Sequence, residues 1–166
     1  NDSGKMGAPP ETPFVDPLIA LSAIAAATTT LRLGTGVNIL SQTNPLYMAK
    51  QAASLDFVSE GRFMLGVGIG WLREEFEALG VPFERRGARF DDYVVAMRKV
   101  WSGDVVEHDS EFIKWHGFKS HPTPIQDPFP VVMGGAAGKI YERIARHGNG
   151  WFAPISDAAQ LKTALE

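Results

Sequence analysis

The 166-residue sequence contains no cysteine, no excess of basic residues and no long hydrophobic run. The lack of cysteine excludes disulfides, thiolate metal sites and cysteine nucleophiles. A net charge of -3 provides no basic field that would attract nucleic acid. The longest apolar stretch, residues 17–27, is interrupted by Ser22 and is too short to cross a bilayer. We therefore expect neither nucleic-acid nor membrane partners, and the absence of cysteine and of a signal peptide favours the cytoplasm.

Several catalytic motifs are also missing. There is no G-x-S-x-G elbow of a serine hydrolase, no H-E-x-x-H metal pair and no complete Walker A loop. The glycines of Gly66-x-Gly68-x-Gly70 depart from the dinucleotide fingerprint G-x-G-x-x-G. No metal site is predicted, because the histidines do not pair at ligand spacing. Instead, His108 and His116 are expected on a hairpin surface and His147 at a helix C-terminus, where a cation is favoured.

The composition is that of an ordinary globular protein, with 45% hydrophobic and 21% charged residues. We predict a single α/β domain over residues 1–166. Residues 1–15 are rich in glycine and proline and are predicted to form a flexible N-terminal segment. Residues 104–130 are predicted to be an insertion, with a β-hairpin over 105–118 and a proline-rich connector after it.

Helical and strand-like patterns alternate along the rest of the chain. Strands are predicted over residues 31–40, 62–67, 131–133 and 151–153. Helices are predicted over residues 18–28, 46–59, 73–79, 88–101, 137–147 and from Ser156 to the end. This alternation predicts a parallel sheet with right-handed crossovers, either doubly wound or part of a (β/α) barrel. The first helix is apolar almost all round and is expected to be largely buried.

Glycines stand at the exits of the first two predicted strands and again after the third. Strand exits carry the ligand site in α/β proteins, and glycine there lets backbone approach a ligand. The pattern therefore predicts part of a cofactor pocket, although tight strand exits alone are the alternative. Residues 134–139 open a predicted helix, whose free N-terminal amides would attract phosphate.

Side chains beside the second strand exit allow two interpretations each. Trp71 could cover a flat ring, or it could belong to the core. Glu74, Glu75 and Glu77 could include a general acid or base, but a solvated helix face is the simpler interpretation.

Taken in order, these residues resemble the bacterial luciferase-like superfamily, and most closely its branch of coenzyme F-420 (deazaflavin) dependent oxidoreductases. The similarity extends from Asp16 to Pro154. The matching stretches include LGTGV (33–37), PLYMAKQAASLD (45–56), SEGR (59–62), GVGIGW (66–71), EFEALG (75–80), residues 85–103, Gly134-Gly135 and GNGW (148–151).

The resemblance implies a (β/α)8 TIM barrel of which this chain supplies about four central βα units, a partial barrel. It also implies hydride transfer between F-420 and a small organic substrate, with no residue assigned as catalytic. The implied cofactor-binding residues are Gly36 and Val37 against the ring, often through a non-proline cis peptide, then Gly68, Ile69 and Gly70, and Gly134, Gly135 and Ala136 at the phosphate.

Two alternatives to this function stay open. One is a monooxygenase that uses reduced FMN, and the other is a non-catalytic chain that binds a cofactor or only itself. Because four strands leave two sheet edges unpaired, we also expect a homo-oligomer.

Overall fold

The computed structural model describes residue 9 and residues 11–136, 138–154 and 157–165. Most of the predicted N-terminal segment, and Ser156 as a predicted helix cap, therefore lie outside the described residues. Six α-helices and seven strands occur in the described part of the chain. The helices are α1 (Pro17–Ala27), α2 (Pro45–Val58), α3 (Arg73–Ala78), α4 (Arg86–Trp101), α5 (Ile140–His147) and α6 (Ala158–Leu165). The strands are β1 (Leu33–Gly34), β2 (Asn38–Ile39), β3 (Phe63–Gly68), β4 (Val106–Asp109), β5 (Lys114–Phe118), β6 (Val131–Gly134) and β7 (Gly150–Phe152).

Helices α1 and α2 begin with the same local device. The side chains of Asp16 and Asn44 each accept hydrogen bonds from two backbone amides of the first turn, and a proline follows each cap. Such caps satisfy donors that have no partner within the helix, and proline at the first position costs no hydrogen bond. These two helix starts are therefore set locally by the sequence.

The main sheet is parallel, with the strand order β1-β3-β6-β7, and β2 also pairs with β3. Leu33 lies opposite Phe63, Leu65 opposite Val131, and Met133 opposite Trp151. This result confirms the predicted parallel sheet, and its strands follow one another in space in the order in which they occur along the chain. Both faces of β3 are buried, as expected of a central parallel strand.

The predicted strand 31–40 is divided into β1 and β2, which corrects the prediction of one continuous strand. Thr35 lies between them, and its hydroxyl donates to the carbonyl of Gly66 at 2.7 Å and accepts from the amide of Gly66 at 2.8 Å. A side chain thus replaces the backbone ladder at this point. The peptide bond between Gly36 and Val37 is cis, which confirms that prediction.

The core lies between the sheet and helices α2 and α4. Leu65, Met133, Phe90 and Met97 are fully buried there. The indole Nε1 of Trp101 donates to the carbonyl of Ala49 at 2.9 Å, which joins α4 to α2. This packing fixes β3 and β6, the central strands, so that their carboxyl ends are held rigidly beside one another.

The hairpin of β4 and β5 is antiparallel, as predicted. The prediction that His108 lies on its surface is wrong, because this side chain is only 5% exposed. Its Nε2 lies 2.9 Å from the Asp92 carboxylate on α4, and its ring stacks on Trp115 with centroids 4.9 Å apart. The carboxylate provides a partner for a buried imidazole, so the hairpin is attached to α4 through this histidine. That residues 104–130 form an insertion between barrel units remains a prediction.

The prediction that the first helix is largely buried is also wrong. In α1 only Leu18 and Ala25 are buried, while Ile19 is 68% and Ile24 is 39% exposed. The reason is that α1 packs on one side, against α2 and β1, and has no second layer over it among the described residues. No helix in the described ranges combines the length and the apolar character that a membrane span requires.

Candidate functional site

The carboxyl ends of β2, β3 and β6 surround one open cavity with a volume of about 460 Å³. This volume falls in the range of small-molecule sites, which are about 300–1,000 Å³. Seven of the eight residues predicted to bind a cofactor line it, all except Gly36. The lining consists of Val37, Ile39, Gly68, Ile69, Gly70, Trp71, Arg86, Gly134, Gly135, Ala136, Ile140, Phe152 and Pro154. The structure therefore brings the predicted residues together, whereas their binding of a cofactor remains a prediction.

The glycines at the strand exits accommodate protein side chains as well as open space. A Cβ atom on Gly68 would lie 2.8 Å from Cγ2 of Val37, and one on Gly134 would lie 2.9 Å from Cγ1 of the same valine. Val37 is thus held between the ends of two neighbouring strands. Both glycines make room for Val37, and their direct approach to a ligand stays a prediction.

Two further glycines allow close packing beside the cavity. A Cβ atom on Gly70 would lie 2.7 Å from Ile39 and 2.9 Å from Phe76. Gly36 is not among the lining residues, whereas Phe152 is. A Cβ atom on Gly36 would lie 3.1 Å from the ring of Phe152. Gly36 therefore supports the cavity wall through Phe152 rather than forming it.

Gly134 is the last residue of β6, and Gly135 and Ala136 follow it in a loop before α5 and not in the first turn of that helix. The helix was predicted from residue 137, but it begins at Ile140. Gly138 has a φ of 67°, a left-handed conformation that an α-helix does not contain. The carbonyl of Gly135 accepts a hydrogen bond from Nε1 of Trp151 at 2.7 Å, so β7 supports this loop. Phosphate contact by this loop stays a prediction, and it would depend on loop amides rather than on a helix terminus.

Trp71 and Arg86 are the polar-edged side chains on a lining that is otherwise apolar or glycine. Trp71 is 71% exposed, which decides against its assignment to the core. Arg86 donates from Nε to the carbonyl of Gly70 at 3.0 Å. Sequence reasoning missed Arg86, Ile39 and Phe152, because nothing in their local spacing marks them and only the fold brings them to the cavity.

The composition of the cavity wall fits a flat, largely apolar ring system. Val37, Ile39, Ile69 and Phe152 supply apolar surface. No carboxylate or imidazole is among the lining residues in the described chain, so no general acid or base is identified there. Glu74, Glu75 and Glu77 are exposed and lie off the cavity wall, which supports the solvated-face interpretation.

Metal binding finds no support in the same region. Within the described ranges, no group of three or more His, Cys, Asp or Glu side chains is arranged to hold a metal ion.

The sequence is similar to curated proteins that are about twice its length. A protein of Mycobacterium tuberculosis without assigned function is 37% identical over 144 residues, which covers 86% of this chain and 51% of that protein. The FMNH2-dependent dimethylsulfone monooxygenase of Pseudomonas putida is 26% identical over 133 residues, covering 78% of this chain and 36% of the enzyme. The chain thus spans about half the length of the mycobacterial relative, and its match covers 36% of the monooxygenase.

Solved structures share the fold over most of the chain. The monooxygenase RslO1 of Streptomyces bottropensis superposes with a TM-score of 0.80 at 31% identity, over 90% of this chain and 47% of that structure. The coenzyme F-420-dependent tetrahydromethanopterin reductase of Methanopyrus kandleri superposes with a TM-score of 0.75 at 21% identity, over 91% of this chain and 48% of that structure. These neighbours make the four parallel βα units a partial TIM barrel. The model of the luciferase-like monooxygenase family matches residues 4–166, and the chain therefore belongs to that family.

Proposed function

We propose that this chain binds a flavin-type tricyclic ring in the cavity at the carboxyl ends of β2, β3 and β6, as part of an oxidoreductase. The observation that carries the proposal is the convergence of seven residues, predicted from sequence, on one apolar cavity of about 460 Å³. Strand exits are where parallel α/β proteins bind ligands. The bound coenzyme would supply the redox chemistry by accepting or delivering a hydride.

The protein's own contribution is orientation of the ring and exclusion of water. Val37 is held by packing against Gly68 and Gly134, so it presents a fixed apolar surface. Trp71 and Phe152 contribute aromatic surface on which a ring can stack. The amides of residues 134–136 are candidates to bind the phosphate that both coenzymes carry. These roles match what a protein adds to cofactor chemistry, namely binding, orientation and protection from side reactions.

Two coenzymes are candidates, each for a specific reason. Coenzyme F-420 is favoured by the resemblance of the residue stretches between Asp16 and Pro154 to the deazaflavin-dependent branch. Reduced FMN, with monooxygenation of a small organic substrate, is favoured by similarity to the FMNH2-dependent dimethylsulfone monooxygenase and to the monooxygenase RslO1. The choice between hydride transfer to a substrate and oxygenation follows from which coenzyme binds.

Titration of the 166-residue chain with F-420 and with FMN tests this proposal, with coenzyme fluorescence as the signal. We expect saturable binding of one of the two. Binding of neither would contradict the proposal for this chain and would leave a non-catalytic or self-associating role.

The variant Ala136→Asp locates the bound coenzyme. A carboxylate at the exposed position 136 should repel phosphate and weaken coenzyme binding about tenfold or more, which corresponds to about 1.4 kcal/mol. Gly135 is unsuitable for this substitution because its φ of 143° disfavours any side chain. The control Ala88→Asp, on the exposed surface of α4, should leave binding and thermal stability unchanged. Equal affinities of both variants would contradict the predicted phosphate position.

A further inference from the structure

Arg86 is the one charged side chain on the cavity wall among the described residues. It is the first residue of α4 and reaches the end of β3, where its Nε donates to the carbonyl of Gly70 at 3.0 Å. A guanidinium carries five N–H donors in a planar fork. With Nε bound to Gly70, the terminal nitrogens Nη1 and Nη2 are the donors that a ligand would meet.

A series of aromatic contacts fixes this guanidinium from the core outward. Phe76 is fully buried, and Phe83 meets it edge to face with ring centroids 5.2 Å apart. The guanidinium carbon of Arg86 lies 3.8 Å from the centroid of the Phe83 ring, within the range of a cation–π contact. Two independent contacts, one to a carbonyl and one to a ring, therefore hold Arg86, and little entropy is lost when it binds a ligand.

The nearby carboxylate of Glu84 attracts Arg86 electrostatically but forms no ion pair with it among the described residues. Glu84 forms its ion pair with Arg73 at 2.8 Å, and that hydrogen bond is the main cause that lowers the pKa of Glu84. Among the ion pairs between described residues, none involves Arg86. A cation beside apolar surface is worth more to an anionic ligand than one in water, because the local dielectric constant is lower.

We propose that Arg86 recognises a planar or tetrahedral oxyanion of the bound ligand, a carboxylate or a phosphate, through its terminal nitrogens. Guanidinium forks match the spacing of two oxygens in such groups. The inference deepens the proposed function, since it assumes that the ligand occupies this cavity. The oxyanion belongs either to the coenzyme, as its phosphate, or to the substrate, which would then be an organic acid. Phe83 and Phe76 act as positioning residues.

The direct test is NMR of the chain labelled with ¹⁵N-arginine. The Nε–H signal of Arg86 is identified by its loss in Arg86→Gln, and it is followed during titration with benzoate, inorganic phosphate and neutral benzamide. We expect a saturable shift with benzoate or phosphate and none with benzamide. A signal that moves with none of the three, or equally with benzamide, would overturn the proposal. Because the wild-type chain is titrated, this test does not depend on the stability of a variant.

Paired ligands then identify the source of the oxyanion. FMN and riboflavin share the same ring, but only FMN carries a phosphate. If Arg86→Gln weakens FMN about tenfold or more and leaves riboflavin unchanged, Arg86 binds the coenzyme phosphate. If both affinities are unchanged and Arg86→Gln loses the binding of benzoate measured by calorimetry, Arg86 binds an acidic substrate. Wild-type affinity of Arg86→Gln for FMN, phosphate and benzoate alike would contradict both readings.

Two further variants complete the experiment. Arg86→Lys keeps the charge but not the planar fork, so we expect partial recovery of oxyanion binding. The control Arg85→Gln removes the neighbouring guanidinium, which pairs with Glu111 and lies off the cavity wall, and should bind as wild type does. If FMN, riboflavin and F-420 all fail to bind while benzoate still shifts Arg86, the proposed function fails and this inference stands.

Discussion

At the scale of single residues, two buried or half-buried ionisable groups are built into the fold away from the cavity. Asp56 on α2 is fully buried and accepts hydrogen bonds from the amides of Ile125 and Gln126, at 2.7 and 3.1 Å. Its other oxygen accepts from Nε2 of Gln126 at 2.7 Å, and the same nitrogen donates to the carbonyl of Phe63. One carboxylate thus attaches the connector before β6 to the start of β3.

We expect Asp56→Asn to lower the free energy of unfolding by about 1–3 kcal/mol, the usual cost of a buried polar group left without a partner. The new amide nitrogen would face the donor Nε2 of Gln126, so one hydrogen bond would be lost and two donors would be opposed. Urea denaturation measures the change. Asp104→Asn, at an exposed position, is the control and should unfold at the wild-type midpoint; an unchanged midpoint for Asp56→Asn as well would contradict the role of Asp56.

His147, the last residue of α5, makes stability depend on pH. Burial lowers its pKa from the ordinary 6.5; Asp91 raises it, and Arg146, Arg98 and Arg143 lower it further. The unfolded state therefore binds more protons than the folded state once the pH falls below about 6.5. Stability from this group is complete above that pH and decreases as the solution becomes more acidic.

The variant His147→Gln should therefore lose less stability than wild type between about pH 7.5 and about pH 5. Chemical denaturation at both pH values gives the comparison. Identical pH slopes for wild type and His147→Gln would show that this histidine does not titrate with folding.

At the scale of elements, the segment between β1 and β2 approaches β3 closely, and this approach depends on a glycine of β3. A Cβ atom on Gly66 would lie 1.8 Å from the backbone oxygen of Thr35, and backbone cannot give way as a flexible side chain can. We expect Gly66→Ala to cost about 3 kcal/mol or more, at the upper end of overpacking effects. Gly34→Ala is the control, because its Cβ would meet nothing closer than 3.6 Å. The melting temperatures of the two variants are compared by thermal unfolding. Similar values would contradict the conclusion that Gly66 is needed for the close approach of Thr35 to β3.

At the scale of the whole molecule, β1, β2 and β7 each pair with a single strand within the described residues, and α1 exposes apolar side chains. Unpaired strand edges and apolar surface both favour association. We expect dimers or larger assemblies in light scattering at micromolar concentration, and Ile19→Glu on α1 should weaken them. The control is Val105→Glu, because Val105 is 67% exposed and Ile19 is 68% exposed. This control should leave the assemblies unchanged. A monodisperse wild-type monomer would contradict the expectation.

Most of the helices and strands, and their order along the chain, could be predicted from the sequence. Capping by Asp16 and Asn44, the alternation of strands with helices and the glycines at strand exits are local features, and local interactions decide them. The parallel sheet and the hairpin followed from these patterns, whereas the seven lining residues of the cavity were implied by the family resemblance. The family resemblance added the cis peptide at Gly36–Val37, which no local pattern indicates.

The burial and the contact partners of each side chain depend on the tertiary structure. Periodicity marked α1 as apolar but could not say that a single layer covers it, and it placed His108 on a surface although Asp92 and Trp115 bury it. Arg86 reaches the cavity because α4 starts beside the end of β3, 16 residues after Gly70 in sequence. Burial, charge pairing and the cavity wall depend on contacts between residues far apart in the chain, and no local spacing in the sequence encodes such contacts.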